Sequence, residues 1–260
     1  MRLIITGAAS GIGRATALQF ASRPVEGKAA EILLVDRDPE NLAKVASEVA
    51  EKGARTEVFV GDLGNVDVPA KIIATAIEKF GGLDTLISNA GAIHRIPLVE
   101  LGPDEFDRMM NINARATLLL AQASHIYLKA AKGSIVATAS TAADNPAVPL
   151  GAYSASKVAL VMLVRQMAAE WGADGIRCNC VSPGPTHTSM TKASYDDPAG
   201  REKRGQEIPL GRVGQPDDLA KAIYFLAGTD AGHISGINLL VDGGLSTTLG
   251  NSKSGAANNI

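Results

Sequence analysis

Two side chains suited to moving a proton lie one helical turn apart. Tyr153 and Lys157 open a segment with helical periodicity, so the phenol and the ammonium are expected on one helix face. A free phenol titrates at about 10, and a neighbouring cation lowers that value because it favours the phenolate. The pair is therefore a candidate general acid/base. The alternative is a packed ring beside a lysine whose stem covers apolar surface.

A cluster of three glycines lies between the first predicted strand and the first predicted helix. The residues of this turn include Gly7, Ser10, Gly11, Ile12 and Gly13. Glycine lets a phosphate approach the backbone closely, and the following helix N-terminus offers unpaired N–H groups. A tight turn with close helix packing would explain one or two glycines but not the whole cluster. The position predicts a pyrophosphate site.

An acidic residue ends the second predicted strand. Asp36 follows Gly13 by 23 residues, close to the offset of about 20 at which a carboxylate binds the adenosine ribose of NAD. A carboxylate repels the 2′-phosphate of NADP, and Ser10 supplies no cation to attract it, so NAD is expected and NADP is disfavoured. The neighbouring Arg37 argues the other way. The alternative role for Asp36 is a strand-end cap.

Short apolar runs alternate with longer segments of helical period, which is typical of parallel strands joined by helical crossovers. The seven runs are 3–5, 32–35, 58–60, 85–87, 134–137, 176–181 and 237–241. Most lack polar alternation, as expected of strands covered on both faces. The pattern predicts a single doubly wound, Rossmann-like α/β domain over 1–246 with a seven-stranded, mainly parallel sheet. Residues 247–260 are expected to form a polar tail.

Composition restricts the partners. The 260 residues carry 25 Lys and Arg against 27 Asp and Glu, so no basic field exists for a nucleic acid. No apolar run approaches the ~18 residues of a membrane span, and the first residues lack a signal-peptide pattern. Cys178 and Cys180 lack disulfide-framework, zinc or redox spacing and are expected to be packed thiols. A cytoplasmic location and a small-molecule partner are expected.

Several motifs together resemble the short-chain dehydrogenase/reductase family. They are the turn Thr6-Gly7-Ala8-Ala9-Ser10-Gly11-Ile12-Gly13 and the helix start Tyr153-Ser154-Ala155-Ser156-Lys157. The similarity covers 1–247 and implies hydride transfer between a nicotinamide ring and a secondary alcohol or ketone. Further matches are Asp62-Leu63, like the family's adenine-contacting pair, and Ser88-Asn89-Ala90-Gly91, like its Asn-Asn-Ala-Gly stretch with serine in first place.

The resemblance also implies roles at the reacting end. Ser140 would orient the substrate oxygen, Tyr153 would exchange its proton, and Lys157 would stabilise the phenolate and reach the nicotinamide ribose. Asn113, a better match than Asn111, would support a water chain from the lysine to solvent. The cofactor is further implied to contact Asn89, Ala90, Gly91, Pro183, Gly184, Thr186 and Thr188. This chemistry requires no metal.

Two segments, 141–150 and 185–214, are expected to wall the substrate pocket, the second as a lid with short helical pieces. Candidate pocket residues are Ile93, His94, Asn145, Val148, Leu150, Met190 and Tyr195. They form a mixed polar and apolar set without an arginine cluster for a carboxylate or phosphate. A neutral sugar, polyol, cyclic alcohol or steroid-like alcohol or ketone is therefore expected.

Several alternatives stay open. The resemblance implies a homotetramer or homodimer built through 104–131 and 152–171, although core packing alone would explain their apolar faces. An NADP-dependent carbonyl or 3-ketoacyl reductase is disfavoured by Asp36, and enoyl reduction by the wider Tyr–Lys spacing of that branch. A non-catalytic dinucleotide-binding redox sensor or scaffold is disfavoured by the joint presence of Ser140, Tyr153 and Lys157.

Overall fold

A computed structural model describes residues 1–24 and 27–248, and its seven strands form one sheet. The strands are β1 Arg2–Thr6, β2 Glu31–Asp36, β3 Arg55–Val60, β4 Thr85–Ser88, β5 Ser134–Thr138, β6 Arg177–Pro183 and β7 Asn238–Val241. Their order is β3-β2-β1-β4-β5-β6-β7, and every neighbouring pair is parallel. The predicted Rossmann-like fold class is confirmed.

Nine α-helices connect the strands within the described residues. They are α1 Gly11–Ala21, α2 Pro39–Glu51, α3 Val68–Phe80, α4 Pro103–Met110, α5 Ala116–Ala131, α6 Tyr153–Trp171, α7 Lys192–Tyr195, α8 Pro198–Gln206 and α9 Pro216–Ala227. Proline opens α2, α4, α8 and α9, where its missing N–H leaves no helical bond unmade. None of these helices is long and apolar enough to cross a membrane.

The sheet separates two apolar layers. On one face, Ile4 and Leu33 pack in a cluster with buried residues of α3, α5 and α6. On the other face, Leu3 and Ile32 pack with buried residues of α1, α2 and α9. Successive strand residues point to opposite faces, and both faces are covered, which explains the uninterrupted apolar runs in the sequence.

The strand order reverses between β1 and β4. The chain proceeds from β1 to β2 and β3 on one side, then returns to place β4 against the other side of β1. The connections that leave the carboxyl ends of β1 and β4 therefore diverge and leave a crevice, which is where open α/β sheets bind their ligands.

The predicted helical segment 104–131 changes its helix type partway along. A π-helical turn, Asn111–Arg115, lies between α4 and α5 and contains the buried Asn113. Such a turn inserts an extra residue into the helix, and helical periodicity in the sequence does not distinguish it from an ordinary turn. The segment 104–131 is thus helical throughout, with one π-helical turn that its periodicity did not reveal.

The structure describes the predicted substrate wall 185–214 in full and the predicted polar tail 247–260 only in part. The stretch 185–214 contains a 3₁₀ turn, Ser189–Thr191, followed by α7 and α8, which agrees with the predicted short helical pieces. A 3₁₀ turn, Leu245–Thr247, follows β7. The remainder of the predicted polar tail, 249–260, lies outside the described residues.

Both cysteines lie in β6 and are fully buried in the layer that faces α6. The thiols of Cys178 and Cys180 are free, and burial raises the pKa of each to about 12. The thiolate is the reactive form of cysteine, so neither residue is reactive in the folded chain.

We expect an aromatic disulfide reagent at pH 8 to leave native protein unlabelled over minutes and to label both cysteines once guanidinium unfolds the chain. Absorbance of the released thiol measures the labelling, with the unfolded protein as the internal standard. Labelling of the native protein at the unfolded rate would contradict this packing of β6.

Candidate active site

One large cleft lies at the carboxyl edge of the sheet. Its volume is about 1160 Å³, and its wall includes residues that follow β1, β2, β3, β4, β5 and β6. The structure brings almost every predicted site residue to this wall. The predicted residues on it are Gly7, Ser10, Gly11, Ile12, Asp36, Arg37, Asp62, Leu63, Asn89, Ala90, Gly91, Ile93, His94, Ser140, Asn145, Val148, Leu150, Tyr153, Lys157, Pro183, Gly184, Thr186, Thr188, Met190 and Tyr195. Gly13 and Asn113 lie behind the wall.

The glycine turn requires glycine for two separate reasons. Gly7 and Gly11 have φ values of 66° and 53°, which side chains other than hydrogen disfavour. A Cβ on Gly13 would lie 2.0 Å from the Gly7 carbonyl oxygen, so only hydrogen fits there. The side chain of Ser10 does not cap α1, and the first N–H groups of that helix therefore face the cleft as an anion site.

Asn89 joins three strand ends into one frame. Its Nδ2 donates to the carbonyl oxygens of Thr6 and Gly7 at 3.1 and 3.3 Å, and its Oδ1 accepts from the Thr138 hydroxyl at 3.0 Å. The Thr6 hydroxyl in turn accepts from the N–H groups of Asn89 and Ala90. The side chain of Asn89 therefore fixes β1, β4 and β5 relative to one another at the floor of the cleft.

The carboxylate of Asp36 reaches across to the glycine turn. It accepts from the backbone N–H of Ala9 at 3.0 Å, of Arg37 at 2.7 Å and of Asp38 at 3.2 Å. These bonds are those of a strand-end cap, and the same carboxylate also lines the cleft. Sequence reasoning missed Asp38, which also lines this end of the cleft and caps α2 by accepting from the Asn41 N–H.

Tyr153 and Lys157 are both buried, at 8% and 3% exposure, at the start of α6. Lys157 Nζ donates to the Thr138 carbonyl oxygen at 2.9 Å and lies 5.8 Å from the centre of the Tyr153 ring. Burial lowers the pKa of Lys157 to about 8. Burial also raises the pKa of the Tyr153 phenol, and a hydrogen bond with Ser140 opposes that rise. The hydroxyl, phenol and ammonium thus converge at one end of the cleft.

Asn113 sits behind this group in the π-helical turn. Its Nδ2 donates to the Ala92 carbonyl oxygen and to the Ser156 hydroxyl, both at 3.0 Å, and its Oδ1 accepts from the Ala92 N–H at 2.9 Å. A Cβ on Gly91 would lie 3.0 Å from Asn113 Oδ1 and 3.4 Å from Lys157 Nζ. Glycine at that position keeps the space between the amide and the ammonium free.

The stretch 185–214 covers the glycine turn. The hydroxyls of Ser10 and Ser189 are 2.7 Å apart, and a Cβ on Gly11 would lie 3.3 Å from Thr188 Cβ. A parallel bridge between Thr186 and Gly214 brings the two ends of the stretch together. This segment therefore forms a roof over the turn.

The substrate end also contains residues that sequence reasoning missed. They are Arg95, Leu245 and Ser246 outside the predicted walls 141–150 and 185–214, and the individual residues Pro146, Ala147 and Arg204 within those walls. Folding brings Arg95 and Arg204 to the wall of the same cleft from distant parts of the chain. A spacing of this length leaves no local pattern in the sequence. His94 lies on the same wall, and its Nδ1 is 2.8 Å from Oε1 of Glu105.

The two ends of the cleft carry groups suited to a dinucleotide. The glycine turn and the N-terminus of α1 offer an anion site, and a carboxylate, Asp36, ends β2 at the offset of 23 residues from Gly13 noted in the sequence. The opposite end holds a buried phenol, a serine hydroxyl and an ammonium. Fold and cleft together define an α/β protein of the dinucleotide-binding class.

Comparison with known proteins identifies the class more closely. A family model described as enoyl-(acyl carrier protein) reductase matches residues 7–246. The chain is 35% identical to 2,3-dihydro-2,3-dihydroxybenzoate dehydrogenase of Bacillus subtilis, with 95% of each chain covered. It is 33% identical to L-rhamnose 1-dehydrogenase (NAD(P)(+)) of Azotobacter vinelandii, covering 95% of this chain and 97% of the relative. The crystal structure of levodione reductase superposes with a TM-score of 0.87 at 30% identity, covering 94% of this chain and 97% of that one.

The chain belongs to the short-chain dehydrogenase/reductase family, as the sequence motifs predicted. It is thereby an oxidoreductase of a family that uses NAD(P)(H).

Replacement of Gly13 tests the close approach of α1 to the turn. We expect Gly13→Ala to destabilise the protein by about 1–3 kcal/mol, because the Cβ must displace the Gly7 carbonyl, and to weaken NADH binding at the same time. Thermal unfolding and NADH fluorescence measure the two effects. Gly172→Ala is the matched control, since a Cβ there meets no atom within 4 Å. Equal melting temperatures and NADH affinities for the two variants would contradict the packing described.

Proposed function

We propose that the protein is an NAD-dependent dehydrogenase that interconverts a secondary alcohol and a ketone. The observation that carries the proposal is the convergence of Ser140, Tyr153 and Lys157 at one end of a cleft whose other end is the glycine turn. When bound, NAD(H) supplies the acceptor or donor of a hydride. The residues of the chain bind it, orient the substrate and move the proton.

Tyr153 is the general acid/base. Its hydroxyl takes the proton from the alcohol oxygen during oxidation and returns it to the ketone oxygen during reduction. Ser140, which lies beside the phenol, donates a hydrogen bond to the same oxygen and so orients it. The buried position of the phenol keeps competing water away from the proton that is transferred.

Lys157 favours the ionised form of Tyr153. Its pKa of about 8 leaves the ammonium charged at neutral pH, even though burial opposes the charge. The ammonium lies close to the ring, and the low dielectric of the buried site strengthens its attraction for a phenolate.

Asn113 is proposed to support the exit of the proton. Its Oδ1 and Lys157 Nζ border the same space beside Gly91, which has no side chain to fill it. A water molecule in that space would accept from the ammonium and donate to the amide oxygen. The π-helical turn places the asparagine in this position.

The preference for NAD rests on Asp36. Its carboxylate lies at the end of β2, and Asp38 lines the same end of the cleft, so two negative charges face the position of a 2′-phosphate. Arg37 also lines the cleft and acts in the opposite sense. The relative from Azotobacter vinelandii is named for both cofactors, which makes the preference a property to be measured in this chain.

The substrate is proposed to be a small alcohol or ketone. The two curated relatives named above act on a ring-bearing dihydrodiol and on a sugar according to their names, and both are dehydrogenases. The residues 1–246 are proposed as one domain, and the segments 141–150 and 185–214 as its substrate walls, because both contribute residues to the cleft.

Assembly is proposed to use α5 and α6. Val158 and Met162 lie one turn apart on α6 with 48% and 57% exposure, and Ile126 of α5 is also exposed. An apolar surface of this kind suits a second copy of the chain in a dimer or tetramer. The two free thiols of the described chain fit a reducing compartment, and we propose the cytoplasm.

Replacement of Tyr153 tests the acid/base assignment. We expect Tyr153→Phe to lower kcat by about 10²- to 10⁴-fold, since general acid–base catalysis contributes that much, while the Kd for NADH is unchanged. Steady-state absorbance of NADH and fluorescence titration measure the two quantities. Tyr127→Phe, a change of the same kind outside the cleft wall, is the control. Undiminished turnover in Tyr153→Phe would refute the assignment.

Replacement of Asp36 tests the cofactor preference. We expect wild-type protein to prefer NAD, and Asp36→Ala to narrow the ratio of kcat/KM for NAD over NADP by about tenfold, equivalent to ~1.4 kcal/mol of differential binding. Asp104→Ala, which removes an acid from the first turn of α4, is the control. A wild-type enzyme that prefers NADP would contradict the role given to Asp36.

A further inference from the structure

The charged residues of the cleft are divided between its two ends. The acidic residues of the wall, Asp36, Asp38 and Asp62, all follow β2 or β3 on the adenosine side. Around the substrate end, the described wall contains the ammonium of Lys157 together with Arg95, Arg108 and Arg204, and no carboxylate. A negatively charged group therefore meets three carboxylates, offset in part by Arg37, at the adenosine end, and cations without a carboxylate at the substrate end.

Arg95 keeps most of its hydrogen-bonding capacity free. In the described chain its guanidinium makes one side-chain hydrogen bond, from Nη2 to the Ser194 hydroxyl at 3.2 Å. A guanidinium has five N–H donors, and its planar fork matches a carboxylate in geometry. The contact with Ser194 orients the group at the rim of the substrate end without neutralising it.

Arg204 supplies a second cation from α8. It pairs with Glu207, which does not line the cleft, while the arginine does. Arg201 donates to the Tyr195 carbonyl oxygen at 3.0 Å and so ties α8 to α7, the segment that contacts Arg95. Arg204 is thus carried by a helix tied to α7, and Ser194 of α7 contacts Arg95.

Two other basic groups near this end are already compensated. His94 Nδ1 lies 2.8 Å from Glu105, and Arg108 donates to the same carboxylate at 2.8 and 3.1 Å. Glu105 therefore balances this group, and it does not balance Arg95. Besides the ammonium of Lys157, the positive charge left without an acidic partner at the substrate end comes from Arg95, with a partial contribution from Arg204.

We propose that the substrate carries a carboxylate, which Arg95 binds with support from Arg204. The inference rests on the proposed function, because it narrows the secondary alcohol to a hydroxy acid and the ketone to the corresponding oxo acid. Ser140 and Tyr153 hold the reacting oxygen, and Arg95 holds the acid group at a distance from it. Arg95 is on this basis a specificity-determining residue.

The cofactor would bring a second anion, its pyrophosphate. That group is expected in a different part of the cleft from the substrate carboxylate. It belongs at the glycine turn, where Ser10 meets Ser189. Arg95 contacts Ser194, which is farther along the roof segment and adjoins the pocket residue Tyr195. Binding of NADH alone is therefore expected to be insensitive to Arg95.

The test compares acids with uncharged partners of the same shape. Calorimetry measures binding of 3-hydroxycyclohexanecarboxylate, D-gluconate and benzoate to the enzyme–NADH complex, against the primary amides of the three acids. We expect at least one acid to bind at least tenfold more tightly than its amide, and the advantage to shrink in 0.5 M salt.

Three variants separate charge from packing. Arg95→Gln keeps a donor for Ser194 and is expected to remove the tenfold advantage of the acid, whereas Arg95→Lys retains a substantial part of it. Lys203→Met removes an exposed positive charge from the same helix as Arg204 and is expected to leave the advantage intact.

The outcomes distinguish this inference from the proposed function. If the acids bound no more tightly than their amides to the wild type and to every variant, the carboxylate site would be overturned. This holds whichever alcohol the enzyme oxidises. If Arg95→Gln weakened NADH binding as much as it weakened acid binding, the guanidinium would belong to the cofactor site. That result would also overturn the carboxylate site. Selective acid binding without any turnover that depends on Tyr153 would sink the proposed reaction and leave the anion site standing.

Discussion

The cleft depends on one continuous chain of hydrogen bonds beneath it. Lys157 Nζ donates to the Thr138 carbonyl oxygen, the Thr138 hydroxyl donates to Asn89 Oδ1, and Asn89 Nδ2 donates to the Gly7 carbonyl oxygen. These hydrogen bonds run across the carboxyl ends of β5, β4 and β1. The backbone carbonyl groups buried there need hydrogen-bond partners in any case. The chain of hydrogen bonds therefore fixes the distance between the proton-transfer end and the glycine turn. It also supplies partners to the buried carbonyl groups at the strand ends.

Burial acts on the tyrosine and the lysine in the same physical sense. It opposes charge, so it raises the pKa of the Tyr153 phenol and lowers the pKa of Lys157 to about 8. At neutral pH the phenol is protonated and the ammonium is retained, which is the state that donates a proton to a ketone. Oxidation needs the phenolate, and the pair supplies it more readily as the pH rises toward the point at which the lysine begins to lose its charge.

Sequence reasoning located the elements whose signal is local. The strands were recognisable because burial on both faces makes runs such as 32–35 wholly apolar, and the glycine turn because steric limits at Gly13 admit no other residue. The π-helical turn at Asn111–Arg115 was not recognisable, since one extra residue leaves the apolar periodicity intact. Asn89 was expected to contact the cofactor, and its bonds to three strands followed only from the order of the sheet.

The charge of the substrate end could not be predicted, for a different reason. Its wall is assembled from segments far apart in sequence, including Arg95 after β4, Arg204 in α8 and Leu245 after β7. No spacing rule connects such positions, because the loops that carry them are constrained by the sheet only at their ends. The reacting group and the substrate wall therefore lie on different parts of the fold. This explains how the substrate can change while the reaction stays the same. The proton-transfer group is held by the strands, whereas the charge that selects the substrate is held by loops that can change without disturbing them.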